Sequence, residues 1–137
     1  MTTITQYDEQ YRAMVVDLWR RVFADDSPHN EPGGVINAKT ASRDGLFFIA
    51  LDNCQVIGTA MGGYDGHRGW LYLVAVDPSH RGRGIGSDLV RQVMATLRAK
   101  GCNKMNLQIR DGNEPVRAFY ESLGFTVEPR VSMGTLL

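Results

Sequence analysis

The sequence predicts an α/β protein (α+β in some schemes): a mixed, mostly antiparallel sheet of six to seven strands with helices on both faces. Three observations carry this. Residues 46–76 hold three strand-forming runs separated by tight turns, which is the pattern of an antiparallel meander. The last run, residues 70–76, stops at Asp77-Pro78 and passes through a glycine-rich turn straight into an amphipathic helix. A further alternating run at 105–109 follows that helix. A strand–helix–strand unit within one sheet implies parallel pairing of 70–76 with 105–109.

The elements follow in order. Residues 3–7 alternate as a short strand, and Asp8 is placed to cap the next helix. That helix carries an apolar stripe of Tyr11, Met14, Val15, Leu18, Trp19, Val22 and Phe23 at spacings of three and four, which marks core. Residues 25–34 are polar and contain Pro28 and Pro32, and a short helix follows over about 34–42 with Val35 and Ile36 inward. Residues 46–51 read as a strand, 52–55 as its turn, and 56–64 as the hairpin partner. Gly58, Gly62 and Gly63 weaken that partner and admit bulges or close approach of a ligand. Residues 65–69 turn the chain into the strand at 70–76.

The next helix spans about 84–99, with Ile85, Leu89, Val90, Val93, Met94 and Leu97 buried, and Gly101 ends it. After the 105–109 strand and the Asp111-Gly112-Asn113 turn, Pro115 starts a helix with Val116, Phe119, Tyr120 and Leu123 on one face. Residues 125–127 and 131–136 are read as closing strands.

Size and charge narrow the function. The 137 residues suit one domain, 1–137. Fifteen Lys and Arg balance fifteen Asp and Glu, which argues against a nucleic-acid binder held by bulk charge. No run has the length and apolarity of a membrane span or a signal segment, so a cytoplasmic, soluble protein is expected. Cys54 and Cys102 lack paired spacing and are expected as free thiols. His29, His67 and His80 show no metal-ligand spacing. The first 34 residues place Asp8, Glu9, Asp17, Asp25, Asp26 and Glu31 against Arg12, Arg20 and Arg21, either an acidic rim for a cationic substrate or a plain solvated face.

The glycine-rich turn is the most informative stretch. Unpaired N–H groups at a helix start, with no Cβ above them, make a seat for anionic oxygen. Arg81 and Arg83 can add charge there. The P-loop pattern fails because Ile85-Gly86-Ser87 lacks its lysine. The dinucleotide fingerprint fails because Gly82, Gly84 and Gly86 are evenly spaced. A plain β-turn-α connection remains the simpler alternative.

Arg81-Gly82-Arg83-Gly84-Ile85-Gly86, preceded by Leu73-Val74-Ala75-Val76-Asp77-Pro78, resembles the acetyl-CoA motif and central strand of the GCN5-related N-acetyltransferase (GNAT) superfamily. Asn113 with Ala118-Phe119-Tyr120-Glu121-Ser122-Leu123-Gly124-Phe125 resembles its second motif, so the likeness covers essentially the whole chain. Gly63-Tyr64-Asp65-Gly66-His67-Arg68-Gly69 also resembles the small bacterial YpeA-type acetyltransferases.

The resemblance implies roles. N–H groups of Arg81, Gly82, Arg83, Gly84, Ile85 and Gly86 would hold the pyrophosphate of acetyl-CoA. The strands at 70–76 and 105–109 would splay after a bulge, and the pantetheine arm would pair with Val74, Ala75 and Val76. A backbone N–H near Val76 would polarise the thioester carbonyl. Asn113 would bind the pantetheine or order its loop. Tyr120 would donate a proton to the leaving thiolate, although its place in an apolar stripe equally suits packing.

The implied reaction is direct transfer of acetyl to a primary amine, without a metal or an acyl-enzyme; Cys54 and Cys102 are poorly placed for a covalent route. The amine must attack neutral. At pH 7 this costs about 1 kcal/mol for an α-amine and about 5 kcal/mol for a lysine-like amine. The strand at 56–64 has no carboxylate, which leaves Asp65, His67 or a water relay as the base. The resemblance implies as acceptor a small-molecule amine or a polypeptide N-terminus, and residues 25–42 would line its approach. The family also forms homodimers. The competing class is a non-catalytic acyl-CoA-binding regulatory module.

Overall fold

The computed structural model describes residues 1–23 and 27–137, so Asp25 and Asp26 of the acidic segment lie outside the described residues. The chain forms two compact units, Met1–Leu107 and Gln108–Leu137.

The first unit holds β1 (Thr2–Gln6), α1 (Arg12–Val22), α2 (Pro32–Ser42), β2 (Phe47–Asp52), β3 (Gln55–Tyr64), β4 (Gly69–Val76), α3 (Ile85–Ala99) and β5 (Met105–Asn106). Their local chemistry explains their ends. Asp8 caps a 3-10 turn, Glu9–Tyr11, by accepting from Gln10 N, and α1 continues from it. Glu31 caps α2 by accepting from Gly33 N and Gly34 N, with Pro32 in the first turn. Asn53 and Cys54 join β2 to β3 with φ of 50° and 63°, the left-handed pair that a two-residue hairpin requires.

The sheet runs β1-β2-β3-β4-β5, antiparallel except for the parallel β4–β5 pair. The described residues thus form five strands rather than the expected six to seven. Residues 125–127 and 131–136 form no strand, and Val127, Val131, Met133 and Leu136 are exposed. Strand propensity expresses the fit of a side chain to a pleated, half-buried surface, and these residues have no such surface. β5 is also cut from five expected residues to Met105–Asn106.

Helices cover both faces of the sheet. Thr59 bonds Trp19 of α1, whereas a Cβ on its neighbour Gly58 would meet Leu89 and Ile85 of α3. Adjacent strand residues point to opposite faces, so α1 and α3 lie on opposite sides. Val15, Leu18, Trp19 and Ile36 pack with Phe47, Ile49, Met61 and Ala75 on one face. On the other, a Cβ at Gly58 would lie 2.9 Å from Leu89 and one at Gly62 would lie 2.7 Å from Val93. These two glycines therefore admit α3 to the sheet, where the sequence also allowed a ligand.

The second unit contains α4 (Glu114–Ser122). Asn113 caps it, accepting from Val116 N at 3.4 Å. Of the expected stripe, Tyr120 is buried, Phe119 and Leu123 are half-buried, and Val116 is exposed. Gly124 follows with φ 96°, and Phe125 N returns to Tyr120 O at 3.1 Å.

Candidate active site

β4 is irregular at one point. Thr59 pairs with Ala75 and Met61 with Tyr72, so one residue between the pairs on β3 faces two on β4. The extra residue sits at Leu73, whose φ is 50°. This is a β-bulge with a non-glycine residue in the left-handed region. Beyond it, Asp77 N donates to Ile57 O at 2.7 Å. Backbone groups of successive strand residues alternate in direction, so Ala75 faces β3 while the N–H groups of Val74 and Val76 face the opposite edge. β5 pairs only with Gly69 and Trp70. Among the described residues, no strand covers that edge from Leu71 to Val76.

The glycine-rich turn follows directly. Gly82 and Gly84 have φ of 80° and 78°, and Gly84 is the N-cap of α3. A Cβ at either would meet nothing within 4 Å, so the turn presents bare backbone. The first helical bond is Asp88 N to Gly84 O at 3.0 Å. The N–H groups of Ile85, Gly86 and Ser87 are therefore left without helical partners. Arg81 and Arg83 are exposed beside them. The result is a bare helix start flanked by two arginines, an arrangement chemically suited to anionic oxygen, one turn beyond the uncovered strand edge.

The connection between that edge and the glycine-rich turn is anchored by Asp77. Its carboxylate accepts from Ser79 Oγ at 2.7 Å and from Arg21 Nη1 at 2.6 Å, and lies 2.8 Å from His80 Nδ1. The Ser79 and His80 hydrogen bonds, with Arg21 behind them, hold its pKa down at about 2. His80 Nε2 lies 3.6 Å from Asp52. The turn is thus tied to α1 and to the β2–β3 hairpin. In the sequence Asp77 reads only as a strand stop, and His80 only as a histidine without metal-ligand spacing. Arg21 stands 56 residues away, so no local pattern marks the contact.

The two candidate bases differ. Asp65 Oδ1 accepts from His67 N and Arg68 N, both at 2.7 Å, and these bonds hold its carboxyl below the usual range. His67 is exposed in the same turn. Tyr72, half exposed on β4, has its pKa raised by partial burial and by the Asp65 charge.

A hollow of about 410 Å³ lies on α2 and β3 beside Val35, Ala38, Lys39, Asp44 and Met61. Lys39 Nζ bonds Asp44 at 2.6 Å and also the Gly62 carbonyl. A larger groove of about 630 Å³ follows α1 past Glu9, Arg12, Val16 and Arg20, and its lining includes no residue of β4 or the glycine turn.

Within the second unit, the Tyr120 ring packs edge-on against Phe119 and Phe125, with centroids 4.9 and 5.6 Å away. Burial alone pushes its hydroxyl up to about 12. Asn113, expected either to bind coenzyme or to order its loop, spends its side-chain oxygen on the α4 cap.

Comparison with known proteins gives three kinds of likeness. Residues 9–125 match the acetyltransferase (GNAT) family. An acetyltransferase of Pectobacterium atrosepticum is 37% identical over 123 residues, 90% of this chain and 86% of that protein. The ribosomal-protein-S18-alanine N-acetyltransferase of Escherichia coli superposes with a TM-score of 0.73 at 24% identity, over 92% of this chain and 78% of that one. An aminoglycoside N-acetyltransferase in complex with CoA superposes with a TM-score of 0.83 at 20% identity, over 99% and 95% of the two chains. At these identities the two solved structures share the fold.

Proposed function

The chain belongs to the acetyltransferase (GNAT) family, and on that premise we propose that it moves the acetyl group of acetyl-CoA directly onto a primary amine. The observation that carries this is the sequence of features along one strand: a bulge at Leu73, an outward edge at Val74 and Val76, and an anion seat at residues 81–86. A ligand that suits them is an extended amide-bearing arm joined to a pyrophosphate, which describes coenzyme A.

In this reading the pyrophosphate rests on the N–H groups of Arg81, Gly82, Arg83, Gly84, Ile85 and Gly86. The pantetheine amides extend the sheet along the outward groups of Val74 and Val76, a form of strand addition, whereas Ala75, expected from the sequence to share in this, turns its backbone groups to β3. With the pyrophosphate at 81–86 the arm passes Val76 first, so the outward N–H at the bulge end of the edge, that of Val74 rather than Val76, donates to the thioester oxygen, where negative charge develops as the amine attacks. The new C–N bond forms, the C–S bond breaks, and the thiolate departs. Tyr120 donates a hydrogen bond to that sulfur. Its hydroxyl, raised to about 12, keeps its proton at any working pH. Complete transfer to a thiolate of ordinary pKa, about 8.5, is uphill by roughly a thousandfold or more. Tyr120 therefore stabilises the thiolate, and solvent completes its protonation.

The ammonium proton leaves through water, with His67 as the side-chain alternative, because Asp65 is committed to its turn. A weak proton sink favours an acceptor of low basicity: a polypeptide N-terminus or a comparable small-molecule amine. We also place the chain with the YpeA-type enzymes, on residues 63–69.

Thiol release from acetyl-CoA, followed across peptides of varied N-terminus, lysine side chains, polyamines, amino acids and aminoglycosides, tests this. An α-amine acceptor with strong turnover is the expected outcome. Calorimetric binding of acetyl-CoA without turnover on any amine would overturn the transfer reaction, and absence of binding would overturn the coenzyme assignment.

A further inference from the structure

Thr59 is a fully buried polar residue in the middle of β3. Its hydroxyl makes two hydrogen bonds at once. It accepts from Trp19 Nε1 at 2.9 Å and donates to the Leu73 carbonyl, also at 2.9 Å. Leu73 is the bulge residue, with φ 50°. A bulge residue is left out of the ladder, so its carbonyl needs another partner. A leucine in the left-handed region is also strained, and such a conformation persists only where its surroundings over-determine it. Thr59 supplies the missing partner. Trp19 occupies a lone pair of the hydroxyl and so leaves its single hydrogen for Leu73.

The bulge decides which backbone groups face outward. Removing the extra residue would shift β4 by one position beyond Leu73, and Ala75 would then face the open edge in place of Val74 and Val76. We propose that Thr59, oriented by Trp19, is a positioning residue for the coenzyme: it holds the Leu73 bulge in the register that turns the Val74 and Val76 N–H groups out of the sheet. This rests on the acetyl-CoA reading above.

The test is calorimetric binding of two ligands, acetyl-CoA and 3′-phospho-ADP, which keeps the pyrophosphate and lacks the pantetheine arm. Thr59→Val removes the hydroxyl at nearly constant shape, and Thr59→Ser keeps it. Thr59→Val should weaken acetyl-CoA by roughly tenfold or more, as expected when binding groups move by about an ångström. It should leave 3′-phospho-ADP unchanged, and Thr59→Ser should restore acetyl-CoA binding to within about threefold of the parent. Thr59→Ala carries the same expectation where the valine variant does not fold. Equal weakening of both ligands, or parental acetyl-CoA affinity in Thr59→Val, would overturn the positioning role while leaving the coenzyme reading intact. A parent protein that binds acetyl-CoA no more tightly than 3′-phospho-ADP would overturn both.

Discussion

Arg21 Nη1 lies 2.6 Å from Asp77 Oδ1, joining the last turn of α1 to the residue where β4 gives way to the glycine turn. The contact makes the entrance to the anion seat depend on charge. Asp77 titrates at about 2 in the folded protein, against an ordinary 3.8. Its folded pKa is depressed, so its contribution is present above about pH 4 and is lost as the pH falls toward 2. Asp77→Asn should cost about 1–2 kcal/mol at neutral pH, discounted because Arg21 is half exposed. Urea unfolding of parent and variant at pH 7, 4 and 3 should show that difference shrinking with the pH. A difference that stays constant over this range would place its origin in something other than the carboxylate charge.

At Gly84 the cost is of another kind. Its φ of 78° strains any side chain, although a Cβ there would meet nothing within 4 Å. Gly84→Val should lose about 1–3 kcal/mol from backbone strain. Its branched side chain would also project over the bare N–H groups. Affinity for acetyl-CoA and for 3′-phospho-ADP should therefore fall together, by at least about tenfold, since each hydrogen bond to a charged group is worth about 1.5–3 kcal/mol. Retained binding of both ligands would remove the turn from the site.

Tyr120→Phe separates chemistry from binding. Loss of the hydroxyl should slow acetyl transfer by roughly tenfold, the cost of about 1.4 kcal/mol of transition-state hydrogen bonding. Acetyl-CoA affinity should barely change. Because the hydroxyl titrates near 12, neither parent nor variant should lose activity to tyrosine ionisation below about pH 10. A rising limb at lower pH should survive in the variant, since it reports deprotonation of the acceptor amine. An unchanged rate with chemistry limiting would return Tyr120 to a packing role.

Away from the site, Gly69 tests how closely α3 and its C-terminal extension press on the sheet. A Cβ there would lie 2.8 Å from Cys102 Sγ and 2.9 Å from Leu97 Cδ1. Gly69→Ala should destabilise by about 1–3 kcal/mol through overpacking. Adding Cys102→Ala should recover part of that loss, because it removes one of the two clashes. Thermal unfolding of the single and double variants measures the coupling. Purely additive losses would mean that the sulfur yields freely.

Much of this architecture is legible in the sequence because it is built from local periodicity. In the expected α1 stripe Val15, Leu18 and Trp19 are buried, with Tyr11, Met14, Val22 and Phe23 half-buried against the same core, and in the α3 stripe Ile85, Leu89, Val90, Val93 and Leu97 are buried while Met94 is only half-buried. The meander and its Asn53–Cys54 turn follow from short-range chemistry. The glycine turn announces itself by composition. The bulge does not. Leu73 stands in an unbroken run of strand formers, and its conformation is set by pairing with β3 and by a threonine fourteen positions away. Thr59 looked like an ordinary strand residue, and its partner Trp19 like ordinary core. The closing strands failed in the opposite direction: Val127 and Val131 carry strand propensity, which acts only where a neighbouring strand offers a surface.

Strand order in the sheet is also chain order. β2, β3 and β4 are joined only by short turns, so their pairing closes small loops and carries little entropic cost. Pairing of β1 must wait for two helices to be gathered in, and β5 waits for α3. The meander is therefore the natural folding nucleus, and Leu73 and Thr59 both lie inside it. A nascent chain would have the outward edge of β4 in place before the glycine turn beyond it exists, so the edge proposed for the pantetheine would be older, in the life of each molecule, than the turn proposed for its phosphates.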